Sequence, residues 1–176
     1  MNIFLKEFGS KKEISVKFEE DFQAFEFRGD LVEFAEKVRV EGRLRKLKKG
    51  YHLRSRVITA LVLTCSRCLD RFVFKVDVPL SVIYTDKLPR TQPREKCMDE
   101  KDVSLSYYNG DEIQIDDDVI GVIVLSIPMK PLCKEDCKGL CPVCGANLNR
   151  EKCNCELEQI DPRLEKLKLL LQKEVV

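Results

Sequence analysis

The stretch that decides the fold is residues 71–84, RFVFKVDVPLSVIY, in which every second residue is apolar. An unbroken period of two is typical of a β-strand that lays one face on a core. Residues 13–18 alternate in the same way, whereas residues 57–63 are apolar on both faces and predict a central strand. Lys48-Lys49-Gly50 predicts a hairpin turn. We therefore expect a meander of antiparallel strands over about the first 85 residues.

Three acids mark the start of a helix. Asp116, Asp117 and Asp118 precede the apolar run 119–127, which stops at Pro128. The β-branched residues of this run favour a strand. However, acidic residues stabilise the amino end of a helix and proline ends one, so we predict a helix near 118–127.

The end of the chain predicts a second helix. Asp161 suits an N-cap and Pro162 suits the first helical position. The leucines that follow share one helical face and make this helix amphipathic: Leu164, Leu167, Leu170 and Leu171. Packing against the body explains such a stripe more simply than binding to a partner.

The composition narrows the class of protein. The 176 residues are 44% hydrophobic and 35% charged, with 31 Lys+Arg against 30 Asp+Glu, as in a globular protein of near-neutral charge. No apolar run reaches the roughly 18–20 residues of a membrane span, and the start shows no signal peptide, so we expect a cytoplasmic protein. The single histidine, His52, restricts any histidine-based catalysis to that residue.

Eight of the nine cysteines fall into close pairs, which in a cytoplasmic chain indicates metal binding more often than disulfides. The segment Cys141-Pro-Val-Cys144-Gly145 has the form of a zinc knuckle, in which two thiolates reach one ion from a tight turn. Cys153 and Cys155 follow and complete a closed four-cysteine set. Such a set would hold structural zinc and leave no position for a substrate.

A second set of four combines Cys65 and Cys68 with Cys133 and Cys137. We predict a second zinc site here that ties the β-body to the cysteine-rich module, for a total of one or two structural zinc ions. Cys133, Cys137, Cys141 and Cys144 could instead group on one helix face, but Gly139 and Pro142 interrupt that helix.

Other chemistry remains open for these thiols. Cys65–Cys68 could be a redox pair, although no βαβ pattern surrounds it. The same thiolates could ligate an iron–sulfur cluster, and in a hyperthermophile they could form a disulfide framework. Cys97 has no close partner and is expected to be an ordinary free thiol.

Charge is strongly segregated along the chain. Residues 37–56 carry nine basic side chains against one acid, and residues 99–118 carry eight acids against one lysine. With Tyr51 and His52 as stacking surfaces, the basic hairpin could bind an RNA backbone. The candidate RNA-binding residues are Arg39, Arg43, Arg45, Lys46, Lys48, Lys49, Arg54 and Arg56. A solvated edge strand, or an acidic segment folded onto the basic one, would explain the same pattern.

The cysteine block closely resembles one known family. The run from Pro128 to Asn149, the Cys153-Asn-Cys155 and Asp161-Pro-Arg163 motifs, and the upstream Cys65-Ser-Arg-Cys68 are similar to the bacterial and plastid YceD family. That family is known for large ribosomal RNA accumulation. The resemblance implies a role in synthesis, processing or stability of large-subunit (23S) ribosomal RNA, and it supplies no active site to carry over.

Together these observations predict an α+β fold. An antiparallel β-rich body with the CxRC pair spans 1–115, a short helix and connector 116–131, a Cys-rich zinc module 132–156 and a C-terminal amphipathic helix 157–176. We expect a non-enzymatic ribosome-biogenesis factor that binds precursor ribosomal RNA or the pre-large-subunit particle, without membrane or small-molecule partners. The alternative is a zinc-stabilised adaptor for a ribosomal protein or a nuclease, without direct RNA contact. A thiol redox enzyme or metal hydrolase is a third class, which the closed four-cysteine spacing disfavours.

Overall fold

The computed structural model describes residues 1–8, 11–86 and 105–155. Within them a short 3₁₀ helix covers Leu5–Phe8 and one α-helix, α1, covers Asp116–Ser126. The strands are β1 Asn2–Phe4, β2 Glu13–Glu20, β3 Phe25–Phe27, β4 Asp30–Phe34, β5 Val38–Lys46, β6 Tyr51–Thr64, β7 Arg71–Thr85, β8 Leu105–Tyr107 and β9 Glu112–Gln114. The α+β class and the β-rich body are confirmed.

A long antiparallel hairpin forms the centre of the main sheet. β7 pairs with all 14 residues of β6, from Tyr51 opposite Tyr84 to Thr64 opposite Arg71. On its other edge, β6 pairs first with β5 and further along with β4. β2 pairs with the other edge of β5, and β3 pairs with β4. β1 and β9 form a separate two-stranded sheet. The apolar run 57–63 therefore lies in a strand with partners on both edges, as its sequence predicts.

The sheet departs from a simple meander in two places. β4 pairs with β6 rather than with β5, because β5 reaches only to Ile58 and leaves the backbone groups further along β6 for β4. β8 pairs with β7 in parallel, with Ile83 opposite Leu105 and Thr85 opposite Tyr107. A parallel pair requires a long connection, and β7 and β8 are well separated along the chain, since β7 ends at Thr85 and β8 begins at Leu105. Among the described strands, this is the one parallel pair in an otherwise antiparallel body.

α1 packs against the core side of β7. Its first turn contains Asp116, Asp117 and Asp118, and Ile127 leaves the helix in an extended conformation just before Pro128. The prediction of a helix here is confirmed. Its inward residues, Val119 and Ile123, are fully buried with alternate residues of the central strands, including Val40, Leu44, Leu53, Val57, Leu61, Val76 and Tyr84.

By internal contacts, residues 1–66 and 70–133 form one unit, and 67–69 together with residues from 134 form another. The predicted C-terminal helix and Cys97 lie outside the described residues. Within the described part of the chain, no helix is long and apolar enough to cross a membrane.

Candidate metal centres and nucleic-acid interface

Four cysteines near the end of the described chain converge on one point. The sulfur atoms of Cys141, Cys144, Cys153 and Cys155 lie within 4.8 Å of one another, and we name this group the knuckle cluster. A tetrahedral zinc ion with Zn–S bonds of about 2.3 Å separates its sulfurs by about 3.8 Å. The spacing of the knuckle cluster therefore suits one metal ion.

Local backbone geometry brings the first two of these cysteines together. The Cys141 amide donates to the Ala146 carbonyl at 2.8 Å, and the Gly145 amide donates to the Cys141 carbonyl at 2.9 Å. Gly145 has φ +74°, a left-handed conformation that favours glycine. The CPVCG sequence thus forms the tight turn that its composition predicts.

The protonation of these thiols also suits a cation. Backbone N–H groups of Cys144 and Val143 lower the pKa of Cys141 to about 6. The neighbouring Cys144 thiol, together with burial, raises the pKa of Cys155 to about 12. Four thiolates so close together repel one another, so a bound cation is needed to hold all four in the deprotonated form.

The other four paired cysteines form a second group, which we name the hairpin cluster. The sulfurs of Cys65, Cys68, Cys133 and Cys137 also lie within 4.8 Å of one another. Cys65, at the end of β6, is fully buried, whereas Cys144 of the knuckle cluster is exposed. The Cys65 amide donates to the Asp70 carbonyl at 2.9 Å, which closes the turn of the β6–β7 hairpin.

Polar side chains support the loop that carries Cys137. Arg67 donates from Nη1 to the Cys137 carbonyl at 2.8 Å, and its own carbonyl accepts from the Leu140 amide at 3.1 Å. Asn149 donates from Nδ2 to the Cys137 sulfur at 3.3 Å, and its Oδ1 accepts from the Lys138 amide. Donors of this kind orient a metal ligand and stabilise its thiolate form.

Two four-cysteine clusters that could hold metal ions are therefore present. They are the two groups that the cysteine spacing favoured, and the competing group of Cys133, Cys137, Cys141 and Cys144 does not form. None of the eight described cysteines forms a disulfide bond. Binding of zinc to them stays a prediction.

The basic hairpin lies in the sheet with a cationic side turned away from the core. In β5 and β6, Arg43 is opposite Arg54 and Arg45 is opposite His52. Residues on this side of the sheet alternate with the buried Leu44 and Leu53. We name this side the outer face. It carries five of the eight candidate residues: Arg39, Arg43, Arg45, Arg54 and Arg56.

The remaining candidates lie elsewhere on the hairpin. Lys46 is opposite Tyr51 at the end of the strands, and Lys48 and Lys49 occupy the exposed turn, which Leu47 closes by donating to the Gly50 carbonyl at 2.9 Å. The predicted turn is thus confirmed.

Ion pairs divide the arginines of the outer face into two kinds. Arg56 binds Asp77 through two hydrogen bonds, one of them 2.8 Å long. Within the described residues no ion pair is found for Arg43, Arg45 or Arg54.

His52 lies among these arginines on the outer face. Its partial burial lowers its pKa, and the positive charges of Arg54 and Arg45 lower it further. Its Nε2 atom lies 3.0 Å from Ser81 Oγ.

The expectation that Tyr51 offers a stacking surface was wrong. Tyr51 is half-buried, with its ring centroid 5.1 Å from that of Phe8 and 5.7 Å from that of Tyr108. Alternation along β6 directs Tyr51 to the core side and His52 to the outer face. The described acids of the 99–118 segment also form no ion pair with the basic hairpin; Asp111, for example, pairs with Lys6 at 3.7 Å.

The sequence did not single out three residues that the structure places at these sites. Tyr107 is exposed on the outer face, and Arg67 and Asn149 donate hydrogen bonds to Cys137. The last two lie inside or beside the cysteine motifs, so their position near metal ligands was the available signal. Tyr107 is 45% exposed on β8, and its place on the outer face follows from pairing with Thr85. No local pattern predicts that parallel pairing.

Comparison with known proteins gives consistent matches. Uncharacterized proteins of Mycobacterium tuberculosis and Mycobacterium bovis are each 30% identical over 138 residues, which cover 75% of this chain and 61% of theirs. The chloroplastic YCED homolog 1 of Arabidopsis thaliana, a large ribosomal RNA subunit accumulation protein, is 42% identical over 50 residues, 28% of this chain and 16% of its own. This chain thus spans about 61% of the length of its mycobacterial relatives. No solved structure matches it significantly.

The family model for the large ribosomal RNA subunit accumulation protein YceD matches residues 53–171. This range contains most of the central hairpin and all eight clustered cysteines. The chain therefore belongs to the YceD family.

Proposed function

We propose that this protein promotes accumulation of large-subunit ribosomal RNA by binding the precursor RNA or the pre-large-subunit particle. The observation that carries the proposal is the arginine group of the outer face in a chain of the YceD family. Cations without carboxylate partners are available to neutralise phosphates, which supplies most of the affinity of non-specific RNA binding.

Zinc has a structural role in this proposal. Four cysteine thiolates complete the coordination of a zinc ion and leave no open position for a substrate. Bound zinc would hold the loops of the knuckle cluster, which have little apolar surface of their own, in place.

The proposal includes no catalytic step. His52 contacts Ser81, but within the described residues no carboxylate orients the other ring nitrogen, as a nucleophilic triad requires. We infer that the protein acts by binding and by holding RNA or particle surfaces in position.

Ultraviolet crosslinking in cells, followed by sequencing of the attached RNA, tests the proposal. The wild-type protein should enrich large-subunit precursor RNA, and a variant with Arg43, Arg45 and Arg54 all changed to Gln should lose most of the crosslinks. A variant with Lys11→Gln and Lys130→Gln removes exposed charges off the outer face and serves as the control. RNA recovery at background level with the wild-type protein would overturn the proposal.

A protein-binding adaptor is the second candidate. Leu125 at the end of α1 and the nearby Met129 are 85% and 75% exposed, which a protein partner could cover. Association with ribosomal proteins that survives ribonuclease and high salt, together with background RNA crosslinking, would favour this candidate.

A further inference from the structure

The outer face continues beyond the arginines to the edge of the sheet. Arg45, His52, Ile83 and Leu105 are successive register partners across β5, β6, β7 and β8. Adjacent strands lie about 4.8 Å apart, so this row spans about 14 Å. Tyr107 follows Leu105 by two residues on the same side of β8.

The chemistry of this face changes along the row. At the arginine end, Glu41 binds Lys17 at 3.0 Å and Asp77 binds Arg56. Glu13, the register partner of Arg45 on β2, forms no ion pair with that arginine in the described part of the chain. Arg43, Arg45 and Arg54 therefore remain available to phosphates. At the other end, Leu105 and Tyr107 are 40% and 45% exposed.

Tyr107 is distinguished from the other rings near the hairpin. Tyr51 and Tyr108 pack edge to face on the core side, at 5.7 Å between centroids. Among the residues of β5, β6 and β8 directed to the outer face in the described part of the chain, Tyr107 is the one phenol or phenyl ring. Its open surface can accept a flat ring of a ligand.

Cationic side chains and an exposed aromatic ring on the same face are the features with which proteins bind single-stranded nucleic acid. Arginines follow the backbone, and unstacked bases stack on aromatic side chains. Double-helical RNA keeps its bases stacked inside the helix and offers Tyr107 no free base face. This contrast selects one RNA form over the other.

We infer that the outer face binds single-stranded RNA, with phosphates held by Arg43, Arg45 and Arg54 and a base stacked on Tyr107. The inference rests on the proposed RNA contact and names the form of RNA that this contact prefers. It assigns to Tyr107 the stacking role that the sequence suggested for Tyr51.

The test is equilibrium binding of the full-length, zinc-loaded protein to a labelled 12-nucleotide single strand and to the duplex of the same sequence. The wild-type protein should prefer the single strand. Tyr107→Ala should weaken single-strand binding about 5- to 100-fold and leave duplex binding unchanged, whereas Tyr107→Phe should retain it. Leu125→Ala removes an exposed apolar side chain from α1 and is the matched control.

Salt titration separates the two parts of the face. Changing Arg43, Arg45 and Arg54 to Gln should flatten the slope of log K against log salt by about 2, and Tyr107→Ala should leave that slope unchanged. Wild-type affinity for Tyr107→Ala, or a preference for the duplex, would overturn the inference and leave RNA binding intact. Absence of binding to either RNA would overturn the proposed RNA contact itself.

Discussion

The hydroxyl of Tyr84 on β7 donates a hydrogen bond of 2.5 Å to Oδ2 of Asp118 in the first turn of α1. Ser106 on β8 donates to the other carboxylate oxygen at 2.9 Å. One carboxylate therefore connects the helix to two strands, and one of these is the strand that carries Tyr107. These hydrogen bonds stabilise the packing of α1 on the sheet, and they hold β8 in place at the edge of the outer face.

Tyr84→Phe should lower the free energy of unfolding by about 2 kcal/mol, because a partly buried carboxylate loses a donor. Chemical denaturation of the two proteins measures this difference. Tyr107→Phe, at an exposed position, is the control and should change stability by less than about 0.5 kcal/mol. Equal midpoints for wild type and Tyr84→Phe would contradict the role of this bond.

The same bond predicts a dependence on alkaline pH. Burial, followed by the contact with Asp118, raises the pKa of Tyr84 above its ordinary value of about 10. The folded protein thus retains a proton that the unfolded chain releases above about pH 10, and wild-type stability falls there. The stability difference between wild type and Tyr84→Phe should be constant below pH 10 and shrink above it. Parallel curves up to pH 11 would exclude this contribution.

Two glycines should respond oppositely to alanine. A Cβ at Gly42 on β5 would lie 2.3 Å from the Arg54 carbonyl oxygen, so Gly42→Ala should destabilise the sheet by about 2 kcal/mol or more. A Cβ at Gly121 on α1 meets no atom within 4 Å, so Gly121→Ala should stabilise the protein by about 0.5–1 kcal/mol. Thermal unfolding of both variants compares them, and destabilisation by Gly121→Ala would contradict the open space around that position.

The number of zinc ions bound per chain should equal the number of intact four-cysteine clusters. The wild-type protein should bind two zinc ions per chain, and Cys141→Ser and Cys65→Ser should each lose one, as measured by elemental analysis. Cys97→Ser is the control and should keep both. Zinc binding at both clusters should weaken on acidification, because protons compete with the metal ion for the thiolate sulfurs. Unchanged metal content in Cys65→Ser would exclude a metal ion at the hairpin cluster.

Asn149→Asp tests the donor at Cys137 with an isosteric change. A carboxylate 3.3 Å from a metal-bound sulfur repels the thiolate and cannot donate to it. The zinc affinity of the hairpin cluster should fall roughly 10- to 100-fold, as measured by the transfer of zinc to a competing chelator. Asn109→Asp, on an exposed residue after β8, is the control. Identical transfer from both variants would contradict a supporting role for Asn149.

The sequence by itself determined the elements whose signals are local. Alternation of apolar residues predicted β2 and β7, the glycine after Lys48-Lys49 predicted the hairpin turn, and the acids before the apolar run predicted α1. The CPVCG and CxC spacings predicted the knuckle cluster, because ligands close in sequence can reach one ion from a single turn.

Only the tertiary structure decided the relationships between distant parts of the chain. The parallel pairing of β8, the attachment of β4 to β6 and the clustering of Cys65 with Cys133 depend on which backbone and side-chain groups remain unpaired after the nearest strands have joined. Tyr51 and Tyr107 show the consequence for function. Both are tyrosines in strands, but strand register directs one ring to the core and the other to the outer face, because alternate side chains of a sheet lie on opposite faces.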